Sequence, residues 1–280
     1  MLVDTHSHVN FNAYREDAEE VIRRALRQGV NLIIVAINHK TAKRALELAN
    51  KYESGVYVAV GLHPLNLEEH EEKNNGHSEL ARAEDFNFDV YQQLAKFDKV
   101  VAVGEIGLDY FRPDMKTDFA LIKKRQREVL QEQWEFAAKL KLPVMVHCRQ
   151  AHDDMVEILT EHKAKFKDLL PKDRPWGVMH CFSGDENLAW QYFNLGLMIS
   201  FTGVITFSQQ WDDLIRKMPE DKIMVETDCP FMSPEPYRGK RNEPFLVKYV
   251  AQRIAEIKSL TPEHIAKITT ANAQKLFGLQ

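Results

Sequence analysis

The 280-residue sequence has no uncharged apolar run approaching the roughly 20 residues that cross a bilayer, so no membrane-embedded helix is expected. Nor does its N-terminus place a basic segment ahead of an apolar stretch, and the expectation is a protein that is not exported. Cysteine is scarce. Cys148, Cys181 and Cys229 lie in unrelated stretches without a CxxC pair, which excludes a disulfide framework or a zinc ribbon and fits a reducing, cytoplasmic setting. Excess positive charge is missing too: with a formal net charge of −4, contact with nucleic acid must come from a local patch and not from the field of the whole molecule. There is no internal repeat, no low-complexity tract and no dividing linker, so one domain is expected over residues 1–280.

What is present is a composition, 44% hydrophobic and 28% charged, that supports a sizeable core. Eight short apolar runs read as strands: "MLVDTH", "NLIIVAI", "VYVAVGLH", "VVAVGEIGLD", "PVMVHCR", "WGVMHCFS", "LMISFTGV" and "KIMVETD". Most are apolar throughout, the pattern of parallel strands buried on both faces. Helical periodicity separates them, over about 15–28, 40–52, 89–96, 118–140, 152–162, 186–195, 209–216 and 243–257. A last helix, about 262–276, has Thr261 as N-cap and Pro262 at its first position. Strand and helix alternate eight times, which predicts an α/β fold: a closed (β/α)8 TIM barrel with an extra C-terminal helix. The charged stretch 67–87, interrupted by Asn74-Asn75-Gly76, reads as an insertion after the third strand on the active-site rim.

Candidate metal ligands sit late in the strands or just beyond them: His6 and His8 on the first, Glu105 on the fourth, His147 on the fifth, His180 on the sixth and Asp228 on the eighth. In such a barrel those ends converge on one face. His6 and His8 are two apart, so both point toward the axis if Thr5 and Ser7 point outward. An HxH pair alone is weak evidence; six candidates at matching strand ends are much stronger. Imidazoles mixed with carboxylates, without cysteine, suit zinc, manganese or magnesium in a catalytic site. Six ligands exceed what one ion with open positions needs, which predicts two: Glu105 bridging, His6, His8 and Asp228 on one, His147 and His180 on the other. Such a pair activates water for hydrolysis. Asp228 is either ligand and proton acceptor together or ligand alone.

Other rim residues carry two readings each. His63 in "VGLHPL" contacts substrate, orients a ligand, or is structural. Arg238, Lys240 and Arg241 in "EPYRGKRNEP" are phosphate contacts or a solvated loop, and Arg149 and Arg112 are similar candidates. Tyr110 and Phe111 stack on a base or merely pack, and Ser183 in "CFSGD" offers a hydroxyl to an oxyanion or only forms a turn. Cys148 and Cys181 each follow a metal-type histidine, so they point away from the site as small packed hydrophobes.

The sequence resembles the TatD family of metal-dependent deoxyribonucleases within the amidohydrolase-like barrels. The likeness is carried nearly end to end by "DTHSHVNF", "GLHP", "VGEIGLDY", "PVMVHCR", "HCFSG", "SFTGVITF", "ETDCPFMSPEPYRGKRNEP" and "TTANAQKLFGL". It implies a TIM barrel, a binuclear divalent site on His6, His8, Glu105, His147, His180 and Asp228, and phosphodiester hydrolysis on DNA, often from the 3′ end. Tyr237 stands where the family commonly has His, and Cys229 where it often has Ala or Ser. The expected activity is therefore 3′–5′ exonuclease action on DNA, preferably single-stranded or at ends. The alternative is an amidohydrolase or lactonase acting on a small metabolite, since one barrel serves both chemistries. Many amidohydrolase-like barrels bridge their metals with a modified lysine on the fourth strand; Glu105 there resembles the nuclease branch.

Overall fold

The computed structural model describes residues 1–74, 77–111 and 118–279. Its strands are β1 (Leu2–Ser7), β2 (Val30–Val35), β3 (Val56–Val60), β4 (His70–Asn74), β5 (His77–Ala81), β6 (Val100–Asp109), β7 (Val144–Arg149), β8 (Gly177–Met179), β9 (Leu197–Phe201) and β10 (Ile223–Val225). The helices are α1 (Ala18–Arg27), α2 (His39–Ala49), α3 (Phe88–Leu94), α4 (Phe119–Leu140), α5 (His152–Lys165), α6 (Glu186–Leu195), α7 (Asp212–Lys217), α8 (Val247–Lys258) and α9 (Pro262–Phe277). No helix among the described residues is long and apolar enough to cross a membrane.

Eight strands form one parallel sheet in the order β1-β2-β3-β6-β7-β8-β9-β10. Beyond β10 the chain returns to β1: the Asp228 N–H donates to His6 O at 2.9 Å, and the His8 N–H donates to Cys229 O at 2.9 Å. This is the TIM barrel that the strand-helix alternation predicts. Helix ends follow the sequence signals. Thr261 caps α9 by accepting from the His264 N–H at 3.2 Å, and Asn38 caps α2 by accepting from Thr41 at 2.9 Å.

Two apolar layers flank the sheet. Inside the barrel, Val3, Ile33, Val35, Ala59, Ala102, Met145, Val178, Met198 and Met224 form one buried cluster with Leu276, Phe277 and Leu279. Residues from the end of α9 therefore plug the lumen beneath the site. Outside it, Leu32, Ile34, Val58 and Val60 pack with helix faces such as Val21, Ile22 and Ala25 of α1. Because both faces of each strand are buried, the runs lack alternation.

One expectation, the direction of Thr5, needs correction, and two others gain detail. The charged 67–87 stretch, which follows the third strand and stands outside the barrel sheet, contains an antiparallel pair, β4 and β5, paired from His70 with Ala81 to Asn74 with His77; its composition carries no apolar alternation to announce strands. Thr5 does not point outward: its hydroxyl lies 3.4 Å from Ser200 on β9, which is not a sheet neighbour of β1, so the contact crosses the lumen. Thr5 shares the luminal face of Val3 two residues before it, and a register irregularity between Asp4 and Ser7 shifts the alternation so that His6 faces inward as well. Of the two readings of Tyr110, packing is the one observed: it is buried with its hydroxyl 2.6 Å from Asp154.

Candidate metal centre

β1 and β6 both carry irregular pairing just where they supply site residues, between Asp4 and Ser7 and between Val103 and Ile106. Local bulging re-aims a side chain that regular pleating would turn elsewhere. Glu105, on the second irregularity, becomes the centre of the site. Its Oε2 lies 3.4 Å from His6 Nε2 and 3.6 Å from His8 Nε2. Its Oε1 lies 2.9 Å from His180 Nε2, 3.0 Å from His147 Nδ1 and 3.4 Å from His63 Nε2. Asp228 completes the first group, with Oδ1 at 3.4 Å from His8 Nε2 and 3.9 Å from His6 Nε2. One carboxylate thus faces two sets of imidazoles, one per oxygen.

The outer nitrogens decide what the inner ones offer. His8 Nδ1 is 3.0 Å from Val35 O, a group that only accepts, so Nδ1 carries the proton and Nε2 presents a lone pair to the site. His180 Nδ1 faces Glu226 Oε1 at 3.2 Å, and His147 Nε2 faces Asp109 Oδ2 at 3.1 Å. Each can donate outward to its carboxylate, which would leave the inner nitrogen, facing Glu105, able to offer its lone pair to a cation. Lone pairs 2.9 and 3.0 Å from a carboxylate oxygen repel it unless a proton or a cation lies between them. Outward donation to a carboxylate or carbonyl is also the arrangement that fixes metal-binding histidines. His6 Nδ1 is buried without a hydrogen-bond partner among the described residues, and its ring stacks 3.9 Å from that of His180. The donor set therefore fits divalent cations. Ligand atoms lie within 4.8 Å of one another in three groups: His6, His8 and Asp228; His6, His180 and Glu226; His63, Glu105 and His147.

His63 differs. Its Nδ1 accepts from the Leu65 N–H at 3.1 Å, so in the neutral ring Nε2 holds the proton and points a donor at Glu105. Burial holds His63 below the usual imidazole range, keeping that ring neutral.

The charge balance is consistent with this geometry. Burial would raise the Glu105 carboxyl, yet the fields of His180, His63 and His6 carry it well below the usual range. Burial disfavours charge on His180 and His147, but Glu105 with Glu226 in one case, and Asp109 with Glu105 in the other, raises both. Burial likewise opposes ionisation of Asp228, and the neighbouring imidazoles His8, His180 and His6 together outweigh it and hold its carboxyl below the usual range.

All six expected ligand positions meet here, and His63 joins them. The strand-end argument missed Glu226 and Asp109, although Glu226 stands two residues before Asp228 in "ETD" and Asp109 four after Glu105 in "EIGLD". It also missed Asp4, whose Oδ2 accepts from the Thr227 hydroxyl at 2.6 Å and so ties the last strand to the first. Cys148 is packed in the core as expected, Cys181 is only half-buried, and burial pushes both thiols up to about 12.

Farther out, the expected substrate contacts separate. Arg238 and Lys240 are exposed and pair with no carboxylate among the described residues. Arg241 belongs to the scaffold: its guanidinium binds both Asp17 oxygens, at 2.9 and 2.5 Å, and Ala13 O at 2.7 Å, which neutralises it. Ser183 is held too, with Oγ 3.3 Å from Cys148 O and 3.3 Å from His152 Nε2. Arg149 lies over the Phe111 ring at 3.8 Å, and Arg112 falls outside the described residues.

A TIM barrel with a histidine and carboxylate cluster at the C-terminal ends of its strands has the architecture of a metal-dependent hydrolase. The chain belongs to the TatD family: the family model described as TatD related DNase matches residues 3–278. An uncharacterized metal-dependent hydrolase of Bacillus subtilis, YabD, is 38% identical over 100% of both chains. The metal-dependent hydrolase TatD of Mycobacterium tuberculosis is 31% identical, covering 99% of this chain and 98% of its own. The crystal structure of YjjV, a TatD homolog from Escherichia coli, superposes with a TM-score of 0.83 at 32% identity, covering 100% of this chain and 98% of the other.

Proposed function

We propose that this metal-dependent hydrolase cleaves phosphodiester bonds of DNA, removing nucleotides from the 3′ end of single strands or frayed ends. The observation that carries the reading is Glu105, whose two oxygens face two imidazole sets at 2.9–3.6 Å, a placement that would let one carboxylate serve two cations. His6, His8 and Asp228 would hold one ion, and His147 and His180 the other, as Mg, Mn or Zn. Such ions supply Lewis acidity and lower the pKa of water.

The chain's own residues do the rest. Asp228, held ionised by its histidine neighbours, accepts a proton from the attacking water. His63 Nε2–H, already aimed into the cluster, donates to a phosphoryl oxygen. Burial of Glu105 and His6 keeps bulk water from screening these contacts. Two cations without carboxylate partners, Arg238 and Lys240, favour a phosphate-bearing substrate over a neutral amide or lactone, and the name of the family model points the same way.

The test is to incubate metal-loaded protein with end-labelled single-stranded DNA and, in parallel, with a panel of amides and lactones. Release of single nucleotides is expected, falling by about 100-fold or more in Asp228→Asn. Undiminished release in that variant removes Asp228 as proton acceptor; turnover of an amide or lactone with intact DNA overturns the substrate class.

A further inference from the structure

Beside the metal cluster an open cleft of about 610 Å³ is lined by Phe207, Phe231, Met232, Arg238 and Lys240 among others. That volume lies in the range of roughly 300–1,000 Å³ typical of small-molecule sites. Three features set it apart. First, nine large apolar side chains are strongly exposed among the described residues, and three of them, Phe207, Phe231 and Met232, meet at this cleft. Scattered exposed apolar residues need no explanation; a cluster does. Second, its cations are available. The Arg238 guanidinium lies 3.8 Å over the Phe207 ring and the Lys240 ammonium 5.7 Å over the Tyr237 ring, and neither has a carboxylate partner among the described residues, whereas neighbouring Arg241 is neutralised by Asp17.

Third, the cleft is continuous with the metal centre and already built. Phe11 stacks on His8 at 4.3 Å and meets the Phe231 ring edge-on at 6.5 Å, so an aromatic path runs from a metal-type histidine to the cleft. The Phe231 N–H donates to the backbone carbonyl of Asp228 at 3.0 Å, which ties the cleft wall to the residue that carries a carboxylate of the site. The loop is held from inside by fully buried Asn242, whose side-chain amide donates to Thr227 O at 2.9 Å and Phe231 O at 2.6 Å. Across the cleft, a Cβ on Gly203 would sit 2.2 Å from Met232 O, so the β9 loop is seated directly against this one. Little ordering remains to be done on binding.

Exposed aromatic faces beside unpaired cations match one chemistry, an unpaired nucleobase followed by its phosphates. A base still paired in a duplex cannot turn its face to Phe231. We infer that this cleft is a nucleotide subsite for single-stranded nucleic acid: a base lies against Phe231, Met232 and Phe207, and Arg238 and Lys240 take the flanking phosphates. The inference rests on the phosphodiester reading above and adds where the strand runs and why an unpaired strand is preferred.

The test is binding of a short fluorescent single strand by anisotropy in chelator, where no hydrolysis occurs, with one abasic residue moved stepwise from the 3′ end. Wild-type protein is expected to lose about tenfold in affinity when the abasic residue occupies the cleft, and little elsewhere. Phe231→Ala should lose a similar factor with the intact strand and show no abasic position effect; Phe231→Tyr should restore both. Arg238→Ala combined with Lys240→Ala should flatten the slope of log affinity against log salt by about one unit. A flat abasic scan on wild-type protein that still cuts DNA overturns the cleft alone. If the protein binds no nucleic acid and hydrolyses amides or lactones instead, both readings fall.

Discussion

The backbone N–H of Leu65 donates to Nδ1 of His63 at 3.1 Å, and this single bond separates His63 from every other histidine of the cluster. A ring whose Nδ1 accepts presents Nε2–H, a donor, to the site; His8, His147 and His180 instead turn their outer nitrogens to acceptors, so that their inner nitrogens would be the ones to hold a cation.

His63→Ala is therefore expected to keep its metal while losing about 100-fold in kcat, as befits a lost donor to charge that develops on the substrate. His147→Ala should lose both metal and activity. Metal content by elemental analysis beside steady-state kinetics separates the two. Loss of bound metal from His63→Ala in proportion to its activity would make His63 a ligand.

Glu226 and Asp109 meet the outer nitrogens of His180 and His147, and the second prediction concerns them. Glu226 Oε1 accepts from the Cys181 N–H at 2.6 Å and faces His180 Nδ1 at 3.2 Å, so it is held rigidly while it holds the imidazole. Glu226→Gln and Asp109→Asn should each weaken metal binding by roughly 10–100-fold. Chelator should lower the melting temperature of the wild-type protein. Saturation at about a hundred times Kd should return about 2.7 kcal/mol, and the variants should need correspondingly more metal for the same shift. Metal titrations of thermal stability that superpose for wild type and both variants would show that these carboxylates do not act through the ligands.

Much of this site is legible in the sequence, for a physical reason. A parallel barrel brings the C-terminal ends of distant strands together whatever the loops do, so His6, Glu105, His147, His180 and Asp228 are placed by counting strands alone. What counting cannot supply is local register. The irregularity at Asp4 to Ser7 brought His6 onto the luminal face that Val3 and Thr5 already share, with no residue pattern to mark it, whereas Gly104 inside "VVAVGEIGLD" stands at the one from Val103 to Ile106 that aims Glu105. Counting also cannot tell which cation is spent. Arg241 and Arg238 look alike in "YRGKRN"; only the fold brings Asp17 to the first, while the second is left over Phe207. The β4–β5 hairpin escaped for the opposite reason, because a charged hairpin outside the core has no apolar alternation to read.

The close contact of β6 with β7 gives the last prediction. Gly107 pairs with His147 across the two strands, and its φ of +154° lies in a region that L side chains rarely adopt. A Cβ there would stand 1.8 Å from His147 O and 2.9 Å from His147 N, both backbone atoms that cannot rotate away. Gly107→Ala must therefore push β7 off β6, and the strand it displaces carries His147, whose Nδ1 sits 3.0 Å from Glu105. The substitution should destabilise the protein by about 3 kcal/mol or more, measured from urea unfolding midpoints at constant slope, because it combines overpacking with strained backbone. Whatever folds should bind metal weakly, since the shared carboxylate and one imidazole set no longer meet. An unchanged urea midpoint together with full metal content would show that the two strands have room to separate, and that the Glu105–His147 spacing does not depend on glycine at 107.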